Sequence, residues 1–174
     1  TYDRPKFMSE EKKTAAEYGT LMHKVMQHLP RLNNVESEDI KHFLDDLVER
    51  RIISDEERPL INEKHIYQFT KTVLYDRLVH ADEVYFELPF VIGKQYITQS
   101  HPDQLVQGMI DCVFKFDGHY YFIDYKTDKV ISRLSRTTEE TLSELKLRYE
   151  VQMNYYKKTL EVILDEPVTG YLYF

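Results

Sequence analysis

The sequence feature that most constrains the fold is an Asp-Gly pair, Asp117 and Gly118, which lies between two β-prone runs. Such a pair, flanked by residues that favour strands, is typical of a β-hairpin closed by a two-residue turn. Counting outward from this turn places Asp111 directly opposite Asp124. Because side chains alternate along a strand, Lys126 points to the same face as Asp124. The pattern therefore predicts two carboxylates and an ammonium at one end of a hairpin.

Two opposed carboxylates need a physical reason to be retained. Directly opposed side chains lie about 4.5–5.5 Å apart at Cβ, and like charges there destabilise a sheet. At an effective dielectric near 20 the repulsion is roughly 3 kcal/mol. A divalent cation between Asp111 and Asp124 would reverse its sign, and hard oxygen ligands favour Mg²⁺. On this argument, Asp111→Ala should not lose stability without metal. The alternative is two unrelated aspartates in solvent, and a one-residue slip in register would separate them.

Composition limits the classes of protein and partner. A chain of 174 residues with 42% hydrophobic and 13% aromatic residues predicts one globular domain. Cys112 is the single cysteine, so the chain cannot hold an intrachain disulfide or a four-cysteine iron–sulfur cluster, and a reducing compartment is expected. No apolar run approaches the ~20 residues of a membrane span. The net charge of −7 argues against an independent nucleic-acid binder. Because the chain begins with Thr1, we expect a fragment of a longer protein.

The hydrophobic pattern changes from helical to strand-like near the middle of the chain. We predict a lead-in over residues 1–13 and a single domain over 14–174, with a helical part at 14–80 and a sheet with a crossover helix at 81–174. The expected helices and capping boxes, in order, are a helix from the capping box at Thr14 to Pro30, a helix capped by Ser37, a capping box at Ser54–Glu57, a helix over 60–79, and a helix over 138–164. The expected strands are Glu83–Ile92, Leu105–Phe116, His119–Tyr125 and Val168–Phe174, with polar connections at 94–104 and 127–137.

This order of elements, with Asp on one central strand and Asp-x-Lys on the next, resembles the PD-(D/E)xK nuclease superfamily. The motifs that carry a closer resemblance, to RecB-type nuclease domains, are Gly19–His23, Gly108–Asp111, Asp124–Asp128, and Gln152 with Tyr156. Three further segments are similar to the bacterial helicase–nuclease subunit that ends in such a domain, namely Arg4–Met8, Met26–Leu29 and Glu87–Phe90. The resemblance implies an α+β fold with a restriction-endonuclease-like core, in which helices flank a mixed central sheet behind an N-terminal helical segment.

The resemblance also implies roles for individual residues. Asp111, Asp124 and His23 would bind the catalytic Mg²⁺, for which Mn²⁺ can substitute, and the backbone carbonyl of Tyr125 would complete the site. Lys126 would hold the attacking water and stabilise charge that develops on the phosphate. A metal ion supplies both a nucleophile near neutral pH and charge relief, which agrees with this division.

Some of these residues have structural alternatives. His23 taken alone is an ordinary half-buried helical histidine. Gln152 and Tyr156 lie one turn apart on one helix face, where they either face the active site and contact DNA or simply pack. Glu87, a charge in an apolar strand, either supports Lys126 or is an exposed edge residue.

The implied function is that of a metal-dependent deoxyribonuclease, an exonuclease that hydrolyses the unwound single strand at double-strand DNA ends during recombinational repair. Its expected partners are single-stranded DNA, a helicase part of the same parent chain and a partner subunit in the bacterial cytoplasm, without a membrane. No phosphate-binding Gly-x-x-x-x-Gly-Lys-Ser/Thr loop occurs, so we expect no ATP hydrolysis by this chain. The alternative is a catalytically silent nuclease-fold module that contacts another protein chain or DNA.

Overall fold

The structure is a computed structural model that describes the backbone of residues 6–98, 104–127 and 138–173. Side chains are described from residue 16 onward within these ranges, except at several positions early in the last helix. Arg4 and Asp128, which belong to motifs noted above, lie outside the described residues. So do residues 99–103 of the connection predicted at 94–104 and residues 128–137 of the connection predicted at 127–137. The chain divides into two compact units, Thr1–Ala81 and Asp82–Phe174.

The first unit is helical. Its helices are α1 (Lys6–His28), α2 (Ser37–Glu49), α3 (Glu63–Thr70) and α4 (Val73–Val79), with a 3-10 turn at Arg58–Leu60. Helices α2 and α3 pack on one another, and the fully buried side chains there are apolar, including Ile40, Leu44, Leu47, Ile66 and Phe69. The buried hydroxyl of Tyr75 donates to the carbonyl of Pro30 at 2.8 Å and accepts from the N–H of Leu32 at 3.1 Å, which fixes the connection after α1.

Four expectations for this unit need correction. Ser37 is the first residue of α2 rather than its cap, because the N-cap is Glu36, whose N–H donates to the Asp39 carboxylate at 2.7 Å. Helix α1 begins at Lys6, eight residues before the predicted start at Thr14. The predicted helix over 60–79 is two helices. The first ends at Thr70, and extended Thr72 caps the second through a 3.1 Å hydrogen bond from the N–H of Tyr75. The capping box at Ser54 and Glu57 forms, with reciprocal hydrogen bonds of 2.9 and 3.2 Å, but it introduces the 3-10 turn rather than an α-helix.

The second unit is a four-stranded mixed sheet with helices. Strands β1 (Glu83–Gly93), β2 (Leu105–Phe116), β3 (His119–Tyr125) and β4 (Val168–Tyr173) lie in that spatial order. The first three are antiparallel, and β4 joins β3 in parallel after the crossover helix α6 (Thr138–Leu164). Parallel neighbours need such a crossover. The fold class and these strands agree with the predictions, and Pro89 lies on an edge strand, where its missing N–H is tolerated. The polar connection after β1 contains an unpredicted short helix, α5 (Gln95–Thr98).

The predicted hairpin turn is present. Asp117 and Gly118 both have positive φ, at 49° and 74°, as a type I′ turn requires. The register from Phe116↔His119 to Cys112↔Ile123 is the one that the turn predicts. The observed pairing ends there, so the position of Asp111 opposite Asp124 stays a prediction that this register supports.

The pairing of β1 with β2 is interrupted at one position. Phe86 pairs with Cys112 and Leu88 pairs with Ile110, so Glu87 lies opposite Asp111, but these two residues do not pair. Glu87 has a φ of 51°, in the left-handed region that non-glycine residues rarely adopt. Strict alternation would separate residues 110 and 113, yet Ile110 and Val113 belong to the same core cluster. The side chains of β2 thus change faces at Asp111, opposite the left-handed Glu87.

The core of the second unit lies between the sheet and α6. Its buried members are Phe90, Ile92, Ile97, Ile110, Val113, Tyr120, Phe122, Tyr156, Leu160 and Val168. The ring of Tyr156 lies edge-on to those of Phe90 and Phe122, with centroids 5.7 and 6.3 Å away. A Cβ at Gly108 would lie 2.7 Å from the Phe90 ring, and one at Gly170 would overlap the Phe122 ring. Both positions therefore require glycine for this arrangement of rings.

Across the described residues, none of the helices combines the length and the apolar character that crossing a membrane requires.

Candidate metal and active site

The two aspartates of the hairpin are buried. Asp111 is 8% exposed and Asp124 is 2% exposed, and they are the only charged residues among the buried side chains that the structure describes. Burial of a charged group is costly unless the group is paired or bound to a cation. Negative charge is therefore held away from water at the position where the regular pairing of β2 with β3 ends.

The backbone holds Asp111 in place. Its Oδ2 oxygen accepts a 2.7 Å hydrogen bond from the N–H of Tyr125, a residue of the neighbouring strand. The end of β3 is in turn fixed to β4, because the N–H of Lys126 donates to the carbonyl of Tyr173 at 2.8 Å. The Asp-Tyr-Lys segment is thus tied by backbone hydrogen bonds on both sides.

The side chain of Lys126 lies at the centre of the polar contacts. Its Nζ is 2.7 Å from Oδ2 of Asp124 and donates to Oε1 of Gln152 at 2.9 Å. The same ammonium lies 4.6 Å from the centre of the Tyr149 ring. The Lys126 side chain is 15% exposed, so its charge is partly withdrawn from water while Asp124 is almost fully withdrawn.

Gln152 connects Lys126 to Tyr156. Its Nε2 donates to the hydroxyl of Tyr156 at 2.8 Å, so that hydroxyl is left to donate its own proton elsewhere. Burial, followed by the negative charges of Asp124 and Asp111, raises the pKa of the Tyr156 phenol above its ordinary value. Tyr156 therefore remains a neutral hydrogen-bond donor through the physiological pH range.

Glu87 approaches Asp111. Carboxylate oxygens of Glu87 and Asp111 lie within 4.8 Å of one another. The left-handed backbone of Glu87 costs free energy that a purely structural position would avoid, and such strain is concentrated at functional sites. Glu87 is half-buried, so it is not the exposed edge residue considered from the sequence, and its support of Lys126 stays a prediction.

The residues of the second unit fit a divalent cation. The carboxylates of Glu87 and Asp111 lie close together, and the buried Asp124 is paired with Lys126, so acidic side chains are concentrated here. Although Lys126 is close, the buried Oδ2 of Asp124 has no hydrogen-bond donor among the described residues. Hard carboxylate oxygens are the ligands that Mg²⁺ and Mn²⁺ prefer. The chemistry of this donor set thus accommodates the metal that the sequence predicted.

His23 belongs to the other unit. It lies on α1 with a half-buried side chain. Its role as a metal ligand, like that of the Tyr125 carbonyl, stays a prediction.

Sequence reasoning missed the contact made by Tyr149. The helical pattern placed this residue on the apolar stripe of α6, where an aromatic side chain usually signals packing. Its spacing of three residues from Gln152 was the available signal, because residues three and four apart on a helix are neighbours.

Comparisons with known proteins point in the same direction. Residues 2–172 match the model of the PD-(D/E)XK nuclease superfamily. The chain is 42% identical over 180 residues to one of the subunits of the ATP-dependent helicase/nuclease of Staphylococcus carnosus (strain TM300), and equally similar to the corresponding protein of Staphylococcus aureus (strain JH9). These alignments cover 100% of this chain and 15% of each relative, so the chain spans a small part of their length.

Among solved structures, the chain is similar to protein VC1899 from Vibrio cholerae, with a TM-score of 0.29 and 14% identity over 91% of this chain and 48% of that one. A likeness of this size carries no argument about fold or function.

Proposed function

Since this chain belongs to the PD-(D/E)XK nuclease superfamily, we propose that it is the Mg²⁺-dependent DNA nuclease domain of an AddA-type helicase/nuclease. The observation that carries the proposal is the end of the hairpin, where buried Asp124 contacts Lys126 and buried Asp111 accepts from the N–H of the intervening Tyr125. The similarity to helicase/nuclease subunits supports the wider context, in which the domain acts as an exonuclease on double-strand ends that a helicase has unwound.

In this proposal Asp111 and Asp124 hold the cation, together with His23 and the carbonyl of Tyr125, and Glu87 is close enough to Asp111 to share in this role. When bound, the cation lowers the pKa of water and relieves charge on the phosphate. The hydrogen bond from Tyr125 to Asp111 orients that carboxylate before any ligand arrives. A preorganised site of this kind avoids reorganisation during the reaction.

Lys126 supplies positive charge next to the scissile phosphodiester. A lysine ammonium is a compact point charge, which suits an oxyanion that develops during hydrolysis. Gln152 keeps it in place, and Tyr156 directs its remaining hydroxyl proton toward a phosphate oxygen of the bound strand. These two residues explain how a helix outside the hairpin contributes to DNA contact.

The experiment that tests the function is cleavage of an end-labelled single-stranded oligonucleotide by the chain in Mg²⁺ or Mn²⁺. We expect metal-dependent cleavage that Asp124→Asn abolishes. Asp117→Asn is the matched control, because it also removes an acidic charge from the hairpin, and Asn tolerates the positive φ of that turn. Cleavage that survives Asp124→Asn would refute the proposed site. A folded wild-type chain that never cleaves would favour the silent interaction module.

Delivery of DNA is the second part of the proposal. DNA binding depends on neutralising phosphates and weakens steeply with salt. A domain with a net charge of −7 is expected to bind a strand weakly on its own. In an AddAB-type complex the helicase part of the parent chain and an AddB-like subunit would thread the strand into the site, which raises its effective concentration. Submicromolar binding by the isolated chain in EDTA at physiological salt would contradict this delivery model.

A further inference from the structure

The ammonium of Lys126 is held from three directions. Asp124 Oδ2 lies 2.7 Å from Nζ, Gln152 Oε1 accepts its hydrogen bond at 2.9 Å, and the ring of Tyr149 lies 4.6 Å from it at the ring centre. The first two contacts come from residues of motifs described above, Asp124–Asp128 and Gln152 with Tyr156. The third comes from a residue to which no role has been assigned above.

Tyr149 and Gln152 approach Lys126 from the same face of α6. They are three residues apart, and Tyr156 follows Gln152 by four, so the three side chains form one row along the helix. The row begins with the ring that faces the ammonium and ends with the hydroxyl that accepts from Gln152. The helix thus presents two different kinds of group to one cation.

An aromatic face attracts a cation through its quadrupole, and the attraction is stronger where water is partly excluded. Lysine carries its charge on a flexible four-carbon stem and loses considerable side-chain entropy when that charge is fixed. With Gln152 alone, the ammonium could rotate about its single hydrogen bond and remain paired with Asp124. The Tyr149 ring closes one side of the ammonium and so restricts that rotation.

We propose that Tyr149 is a positioning residue that keeps the Lys126 ammonium directed at the reacting phosphate, an inference that rests on the nuclease function proposed above. It does so through the face of its ring rather than through its hydroxyl. A purely structural tyrosine would instead fill space on α6, and its replacement would change stability without acting through Lys126.

The test measures single-turnover cleavage of a labelled oligonucleotide in Mg²⁺, with enzyme in excess, by wild type, Tyr149→Phe and Tyr149→Leu. The phenyl ring of Tyr149→Phe should keep the rate within about twofold. Tyr149→Leu should lower the maximal rate about tenfold, the order expected for loss of a partly desolvated cation–π contact. The concentration at half-maximal rate should not change, since Tyr149 is proposed to act on the lysine rather than on the strand.

A double-mutant cycle separates positioning from packing. In a Lys126→Met background, Tyr149→Leu should cause no further loss, because the cation on which the ring acts is gone. An equal loss in both backgrounds, or equal rates for Tyr149→Phe and Tyr149→Leu, would overturn the inference. A wild-type chain without activity would overturn the proposed function together with it, so the two failures are distinguishable.

A fluorinated series covers the case in which Tyr149→Leu fails to fold. Placing 4-fluoro-, 3,4-difluoro- and 3,4,5-trifluorophenylalanine at position 149 keeps the shape of the ring while weakening its negative face. The rate should fall stepwise along the series while the melting temperature stays constant. A constant rate across the series would show that the ring only fills space.

Discussion

The backbone N–H of Tyr125 donates a 2.7 Å hydrogen bond to Oδ2 of Asp111, so this carboxylate satisfies a buried main-chain donor of the adjacent strand. A buried N–H that loses its acceptor costs about 1–3 kcal/mol. Like-charge repulsion alone predicted that Asp111→Ala would not lose stability without metal. The hydrogen bond adds an opposing effect of similar size, and the two effects can be separated by the choice of substitution.

We therefore predict that Asp111→Asn and Asp111→Ala differ in stability but not in metal binding. The amide oxygen of Asn can still accept from Tyr125, whereas Ala leaves that N–H without its acceptor. In EDTA, chemical denaturation should show Asp111→Asn at least about 1 kcal/mol more stable than Asp111→Ala. Calorimetric titration with Mg²⁺ should lose most of its heat in both variants. Wild-type-like binding in either one would remove Asp111 from the metal site.

Loss of the Lys126 charge should make stability depend on metal. Lys126→Met keeps the aliphatic stem but leaves the buried Asp124 without its cation. Breaking a buried ion pair costs about 3–5 kcal/mol, and the 15% exposure of Lys126 reduces this to roughly 1–3 kcal/mol. Added Mg²⁺ should raise the melting temperature more in the variant than in wild type, because the cation replaces the missing charge. Cleavage should fall by about 10²–10³.

The control for this prediction is Lys115→Met, which breaks a 3.6 Å ion pair with the more exposed Glu166. An exposed pair contributes about 0–1 kcal/mol, and its loss should not depend on Mg²⁺. If Mg²⁺ raises the melting temperature equally in wild type and Lys126→Met, the ammonium is not the counter-charge of the metal site.

The strained backbone at Glu87 predicts an unusual order of stability. Glu87→Ala and Glu87→Gly both remove the carboxylate, but only glycine adopts a φ of 51° without a steric penalty. The left-handed conformation costs other residues about 1–2 kcal/mol, so the glycine variant should be the more stable by about 1 kcal/mol. Urea denaturation of the two variants measures this difference. Greater stability of Glu87→Ala would mean that the strand relaxes and that the strain is absent.

Tyr125 predicts a loss of stability at alkaline pH. Burial raises its pKa well above the ordinary value near 10, which it has in the unfolded chain. Above about pH 10 the unfolded chain therefore releases a proton that the folded chain retains, and stability falls as pH rises. Below about pH 10 the neutral Tyr125 side chain makes its full contribution to the free energy of unfolding. Above about pH 10 this contribution falls by up to ~1.4 kcal/mol per pH unit. Tyr125→Phe should show a smaller slope in urea titrations between about pH 8 and 11; an equal slope would contradict the burial argument.

Local signals in the sequence explain which parts of the fold were predictable. Asp117 and Gly118 are residues that favour the turn they adopt, so the register from Phe116↔His119 to Cys112↔Ile123 followed by counting. The helix α6 was predicted at its observed bounds from apolar spacing. The helix break at Thr72 was harder to predict, because a capping residue in the middle of a helical pattern competes with the continuous apolar stripe. In the structure the cap forms and the predicted helix is divided.

The missed features depend on tertiary structure. Nothing local favours a left-handed backbone at Glu87, so the change of faces along β2 at Asp111 could not be inferred from alternation. The spacing of Tyr149 from Gln152 places both on one helix face, but the contact between Tyr149 and Lys126 also depends on where the crossover helix rests on the sheet, which no local signal gives. For His23, the motif supplies a prediction that direct measurement of metal binding must test.

Gly108 and Gly170 give the rings of Phe90 and Phe122 the room to stand against Tyr156, the last member of the row that reaches Lys126. A homologue with alanine at either position would retain every acidic residue and the lysine, and alanine at position 170 would leave all the motifs named above intact. Its tyrosine would nevertheless be displaced, and with it the glutamine that orients the lysine. Judging whether a member of this family is an active enzyme therefore requires checking that both of these positions are glycine, in addition to the charged residues.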